Sequence, residues 1–209
     1  MKWINDSSAL LIVDVQNDFI PGGELAVREG DQIVSVINEL QNKFKHLIAT
    51  QDFHPDDHGS FAANHPNRKP GEFVELAGLT QILWPVHCVQ GTIGASFHPD
   101  LNQSQWKAIF QKGKNPEVDS YSGFFDNARR GDTGLGDYLK SIGVERVFVC
   151  GLALDYCVKF TALDAKSLGF ETFLIADATR AVNLNPDDGE LAIAEMEAVG
   201  IGILTSKDL

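Results

Sequence analysis

Three residue types that together can attack an acyl carbon stand far apart in this chain, each where an apolar run stops. Cys157 follows the turn Gly151-Leu152-Ala153-Leu154-Asp155-Tyr156 and opens the helical stretch Val158–Ala165. A thiol in the first turn of a helix feels unpaired backbone N–H groups and the positive end of the dipole, which favour its thiolate. Free cysteine is also among the most buried residue types, so alone Cys157 reads better as an inert core residue. Asp14 continues the run Ala9-Leu10-Leu11-Ile12-Val13. Its carboxylate leaves an apolar strand for a partly desolvated crevice, which raises its pKa and suits a general base. Taken singly it reads as a brace for the turn Gln16-Asn17-Asp18. Lys112 ends the run Trp106–Gln111 before Gly113. Aimed at the same crevice, it would hold Asp14 and favour the Cys157 thiolate, although most lysines are solvated.

A second constellation has the chemistry of a metal site. Asp52-Phe53-His54 puts two ligand types on one side of an extended segment, and His87 follows within Trp84-Pro85-Val86-His87-Cys88. Two imidazoles and a carboxylate suit one borderline divalent ion: zinc first, with iron or manganese as alternatives. Open coordination positions would make it a ligand-positioning or Lewis-acid ion. His58 is a fourth candidate. D-x-H spacing is common, and each histidine alone reads as a hydrogen-bonded loop residue. His46, His65 and His98 read as structural, and Asp18, Asp155 and Asp177 as local turn or cap residues.

These residues need a scaffold that gathers them. Short β-rich runs alternate with helical patterns: strand 9–13, helix 31–44, strand 46–50, strand 107–111, helix 133–141, strand 146–150, helix 156–168, strand 171–176, helix 187–199 and strand 201–204. Gly143, Gly169 and Gly200 mark helix ends before strands. The rhythm predicts an α/β fold: a doubly wound, three-layer α/β/α arrangement with a mainly parallel sheet. Ligands then bind beyond the carboxyl ends of the strands, where Asp14, Asp52, His54, Lys112 and Cys157 would converge. Section 52–105 holds only weak elements, is too long for a mere connection and is expected to carry function.

The 209 residues, 44% hydrophobic and 22% charged, predict a single domain over 1–209. A net charge of -12 makes nucleic acid and anionic membrane surfaces poor partners and favours a small neutral or cationic ligand. Three cysteines without CxxC spacing, behind a start with no signal-peptide segment, predict a cytoplasmic setting. No apolar stretch approaches the roughly 20 residues of a membrane span.

Together the motifs resemble the nicotinamidase/pyrazinamidase family of isochorismatase-like cysteine hydrolases over essentially the whole chain. The resemblance rests on Val13-Asp14-Val15-Gln16-Asn17-Asp18-Phe19, Gln51-Asp52-Phe53-His54-Pro55, Trp84-Pro85-Val86-His87-Cys88-Val89, Lys112-Gly113, Tyr121-Ser122-Gly123-Phe124 and Gly151–Val158. It implies a triad of Asp14, Lys112 and Cys157, and a metal on Asp52, His54 and His87, with His58 a ligand in some relatives only. It further implies a substrate pocket of Phe19, Trp84, Tyr121 and Leu152, and a cis peptide between Leu152 and Ala153. That bond would turn the N–H groups of Ala153 and Cys157 into an oxyanion hole. The implied reaction is deamidation of nicotinamide to nicotinate and ammonia, with pyrazinamide also accepted. Leu154 departs from the family's usual threonine. The resemblance leaves oligomeric state open, a homo-oligomer included. A metal-free amidohydrolase of N-carbamoyl compounds, isochorismatase itself and a noncatalytic small-molecule sensor are the competing readings.

Overall fold

The computed structural model describes residues 3–209. In chain order its elements are β1 (Ser8–Val13), α1 (Ile33–Gln41), β2 (His46–Asp52), β3 (Phe73–Leu76), β4 (Leu79–Ile82), β5 (Ala108–Lys112), α2 (Leu135–Ser141), β6 (Arg146–Leu152), α3 (Lys159–Ser167), β7 (Glu171–Arg180), α4 (Asp188–Ala198) and β8 (Gly202–Leu204).

Six of the strands form one parallel sheet in the order β5-β2-β1-β6-β7-β8. The chain enters at the centre with β1, steps outward through β2 to β5, then returns to place β6 on the other side of β1. This is the doubly wound order, and the reversal between β1 and β6 is its switch point, where the crevice for a ligand opens.

Burial on both faces explains the continuous apolar runs. Leu10, Ile12, Leu47, Ala49, Phe148 and Cys150 point to one face, where Ile33, Val34, Ile37 and Leu40 of α1 meet them. Ala9, Leu11, Val13, Ile48, Val147 and Val149 point to the other, against Leu135 and Leu139 of α2, Ala162 and Ala165 of α3, and Met196 of α4. Side chains therefore alternate with the strand period of two, and every position finds an apolar partner. One helix covers the first face and three the second. The remainder of the first face is closed by loop residues, among them Val27, Phe97 and Leu101.

Several boundaries differ from those read in the sequence. β2 and β5 run to Asp52 and Lys112, which lie opposite each other in register; the two charges compensate one another, so the ladder continues past the apolar runs. The expected helix 156–168 begins as a π-turn over Leu154–Val158, and α3 follows only from Lys159. Section 52–105 contains an antiparallel hairpin, β3–β4. Its turn residues Ala77 and Gly78 both have positive φ, 48° and 80°, the type I′ geometry that matches strand twist. No helix among the described residues is long and apolar enough to cross a membrane.

Candidate active site

Asp14 leaves β1 at its carboxyl end with φ 48°, turning its carboxylate under the neighbouring strands instead of continuing the ladder. Its Oδ1 accepts a 2.7 Å hydrogen bond from Thr50 Oγ1. Lys112, at the end of β5, is fully buried and brings its ammonium 2.9 Å from Asp14 Oδ2 and 2.6 Å from Asp52 Oδ1. It also donates to the Ser120 carbonyl at 2.9 Å and approaches Cys157 Sγ at 3.4 Å. Oxygens of Asp14 and Asp52 and the Cys157 sulfur all lie within 4.8 Å of one another.

Burial and charge oppose each other here. Burial raises the Asp14 pKa and outweighs the Lys112 ammonium that would lower it. For Asp52 burial also acts upward, but Lys112 and His54 prevail and hold the carboxyl well below its usual range. Burial would lower the Lys112 pKa, yet Asp14 and Asp52 keep it well above the ordinary lysine value. Cys157 departs from the expected thiolate. Its burial, aided by the nearby carboxylates, lifts the thiol pKa well above 9.0 despite Lys112. Burial costs the thiolate more than one ammonium and the helix start return.

Beside this group, His54 donates from Nδ1 to the Gly113 carbonyl at 2.9 Å, and His87 from Nδ1 to the Pro85 carbonyl at 2.8 Å. Both Nε2 atoms face Asp52 Oδ2, at 3.4 and 3.8 Å. Two neutral imidazole lone pairs facing a carboxylate oxygen repel it, so this arrangement calls for a cation between them. Burial depresses the His54 pKa but Asp52 raises it further, so a proton on the ring can stand in for such a cation. Fixing Nδ1 on a carbonyl is how proteins present Nε2 to a metal. Gly113 permits this: φ is +66°, and a Cβ there would strike the His54 ring. His58 is fully buried beside His54, with ring centroids 4.3 Å apart. Burial lowers its pKa to about 4, and its Nε2 has no hydrogen-bond partner.

The pocket above these groups encloses about 370 Å³ of atom-free space, part of it open solvent at the mouth. Phe19, Trp84, Tyr121, Ala153 and Cys157 line it, with Asp52 and His87 at its metal-type end. Asp14 and Lys112 lie behind the thiol. The Leu152–Ala153 peptide is cis. Leu152, expected at the pocket, is instead fully buried in the core on the α1 side; it shares the strand phase of Phe148 and Cys150 and so points away. Leu25, Asp119, Tyr156 and Val182 also line the pocket and were not foreseen. Tyr156 lies within the Gly151–Val158 motif and Asp119 adjoins the Tyr121 motif, whereas Leu25 and Val182 carry no signal in their neighbourhood.

Asp18, Asp155 and Asp177 reach beyond their own turns, although Asp18 Oδ1 also accepts the nearby Glu24 N–H at 3.4 Å. Asp18 Oδ2 accepts the Cys88 N–H at 2.7 Å, and Asp155 accepts those of Val182 and Asn183 at 2.9 and 2.8 Å. Asp177 accepts the Ser206 N–H at 2.8 Å. Each reaches a remote stretch of backbone, and Asp155 thereby holds Val182 of the pocket lining.

The isochorismatase domain family matches residues 8–208. The chain belongs to the isochorismatase family. It is 50% identical to a nicotinamidase of Escherichia coli over 204 residues, which cover 96% of the chain and 95% of that protein. An Acinetobacter baumannii nicotinamidase and pyrazinamidase superposes with TM-score 0.95 at 47% identity, over 98% of each chain. A Pyrococcus horikoshii pyrazinamidase solved with zinc superposes with TM-score 0.77 at 40% identity, over 95% of this chain and 99% of the other. Within its family the chain groups with these proteins, and it is an amidohydrolase.

Proposed function

We propose that the chain, acting as one domain, hydrolyses nicotinamide to nicotinate and ammonia through a Cys157 thioester, and deamidates pyrazinamide in the same pocket. The observation that carries this reading is the meeting of Asp14, Lys112 and Cys157 behind an aromatic pocket whose far end presents Asp52, His54 and His87. The E. coli and A. baumannii relatives support the substrate class.

The raised thiol pKa sets the order of events. Asp14 takes the Cys157 proton as the sulfur attacks the carboxamide carbon. Backbone N–H groups of Ala153 and Cys157 receive the developing oxyanion, at about 3 kcal/mol per donor. The C–N bond breaks, and Asp14 returns its proton so that ammonia leaves. Asp14 then takes a proton from water attacking the thioester; nicotinate departs and the thiol is restored. Lys112 keeps Asp14 and the sulfur at fixed positions throughout. Phe19, Trp84 and Tyr121 hold the ring and exclude water.

Asp52, His54 and His87 fit a divalent ion, zinc foremost, because two oriented Nε2 atoms and a carboxylate oxygen converge without another cation between them. When bound, the ion supplies a coordination position for the ring nitrogen. The carboxamide is then held in reach of Cys157.

Ammonia release tests the reading. Nicotinamide and pyrazinamide should be deamidated and benzamide, which lacks the ring nitrogen, should react poorly. Faster ammonia release from an N-carbamoyl amine than from nicotinamide would overturn it.

A further inference from the structure

Asp119 lies in the loop between β5 and α2, is only 3% exposed and lines the pocket. Its Oδ1 accepts the Ser120 N–H at 2.8 Å, and its Oδ2 accepts from Gln81 Nε2, also at 2.8 Å. Both donors are neutral, and no Lys or Arg among the described residues pairs with it. A buried carboxylate without a cation is costly. One ligand-type atom from each of Asp119, His54 and His58 falls within a 4.8 Å cluster that shares His54 with the Asp52–His87 group. In that cluster His58 Nε2 is fully buried and without a partner, and such a group in a native interior signals a missing polar neighbour.

Charge balance points the same way. Asp14 and Asp52 exceed Lys112 by one negative charge. A divalent ion would reverse this to an excess of one positive charge, and Asp119 brings the buried site to neutrality. We infer that Asp119 is an outer-sphere carboxylate of the metal centre, accepting a hydrogen bond from a water on the ion held by Asp52, His54 and His87, with His58 closing the same water shell. Gln81 is its positioning residue. From β4 this side chain also donates to Tyr121 Oη at 3.3 Å, so the hairpin braces both the ion's shell and the pocket wall. The inference rests on the metal reading above.

The test is zinc affinity, measured by competition with a chromophoric chelator on protein stripped and reloaded. The wild-type chain should bind one ion, and Asp52→Ala should lose it; zinc affinity unchanged in Asp52→Ala would sink the metal reading itself. Asp119→Asn should bind one ion about 10- to 100-fold more weakly, the usual effect of removing an outer-shell partner, with the circular dichroism of the metal-free protein unchanged. Affinity within twofold of wild type would overturn the Asp119 assignment alone. So would a second ion per chain that Asp119→Asn abolishes, since Asp119 would then be a direct ligand of a separate site. Should Asp119→Asn fail to fold, Gln81→Met is measured in its place: weaker zinc binding supports the role, and unchanged binding refutes it.

Discussion

At the scale of single residues, the decisive feature is that burial favours the Cys157 thiol over its thiolate while Asp14, its proton acceptor, lies against the Lys112 ammonium. Base and nucleophile must then act in concert, and the pH dependence follows. Burial raises the Asp14 pKa above 3.8. Below its pKa the acid is protonated and accepts no further proton. The kcat/KM for nicotinamide should therefore fall as pH is lowered through a value above the ordinary aspartate pKa, which a pH–rate profile checks. Asp14→Asn and Cys157→Ala should each lower kcat by on the order of 10⁴-fold or more, measured as ammonia release, with the fold retained. Lys112→Met removes the one cation between two buried carboxylates. Breaking such a pair costs about 3–5 kcal/mol, a loss that urea denaturation would read.

At the scale of elements, β1 and β6 touch most closely where the crevice opens. Gly151 has φ +115°, and a Cβ there would collide with the Val13 backbone. Gly151→Ala should cost more than about 2 kcal/mol and depress activity as well, because the strand ends that carry Asp14 and lead to Cys157 would separate. Denaturation and kinetics on the one variant check both. The same elements mark how far the sequence could be read. The run Ala9–Val13 and the turn into Cys157 announce buried strands and a strand-to-helix corner, because two-faced burial demands continuous apolar residues. The hairpin was hidden because Phe73-Val74-Glu75-Leu76 is short and its turn is Ala-Gly instead of an Asn-Gly or Asp-Gly signal. The roles of Asp18, Asp155 and Asp177 were hidden for a different reason. Their partners are backbone N–H groups of loops far along the chain, about which local spacing says nothing. Leu152 points away from the pocket because its phase in β6, shared with Phe148 and Cys150, sets its direction more strongly than its place in the motif. Asp119 was missed because one aspartate gives no sign that it will be buried.

At the scale of the whole molecule, the site is gathered from one edge of a sheet whose two faces form separate apolar cores. Leu10, fully buried in the central strand against the α1 layer, should destabilise the protein by about 2–5 kcal/mol when replaced by Ala. Circular dichroism and activity should be lost at the same denaturant concentration, since the site residues ride on the sheet itself.

The central position of the first strand also bears on biosynthesis. Ser8–Val13 leaves the ribosome well before its partner Arg146–Leu152. Until then a largely apolar ribbon can be paired along one side only, the kind of edge that recruits unwanted neighbours. Nascent chains stalled before residue 146 should accordingly be captured by chaperones, and those extended past β7 should be released.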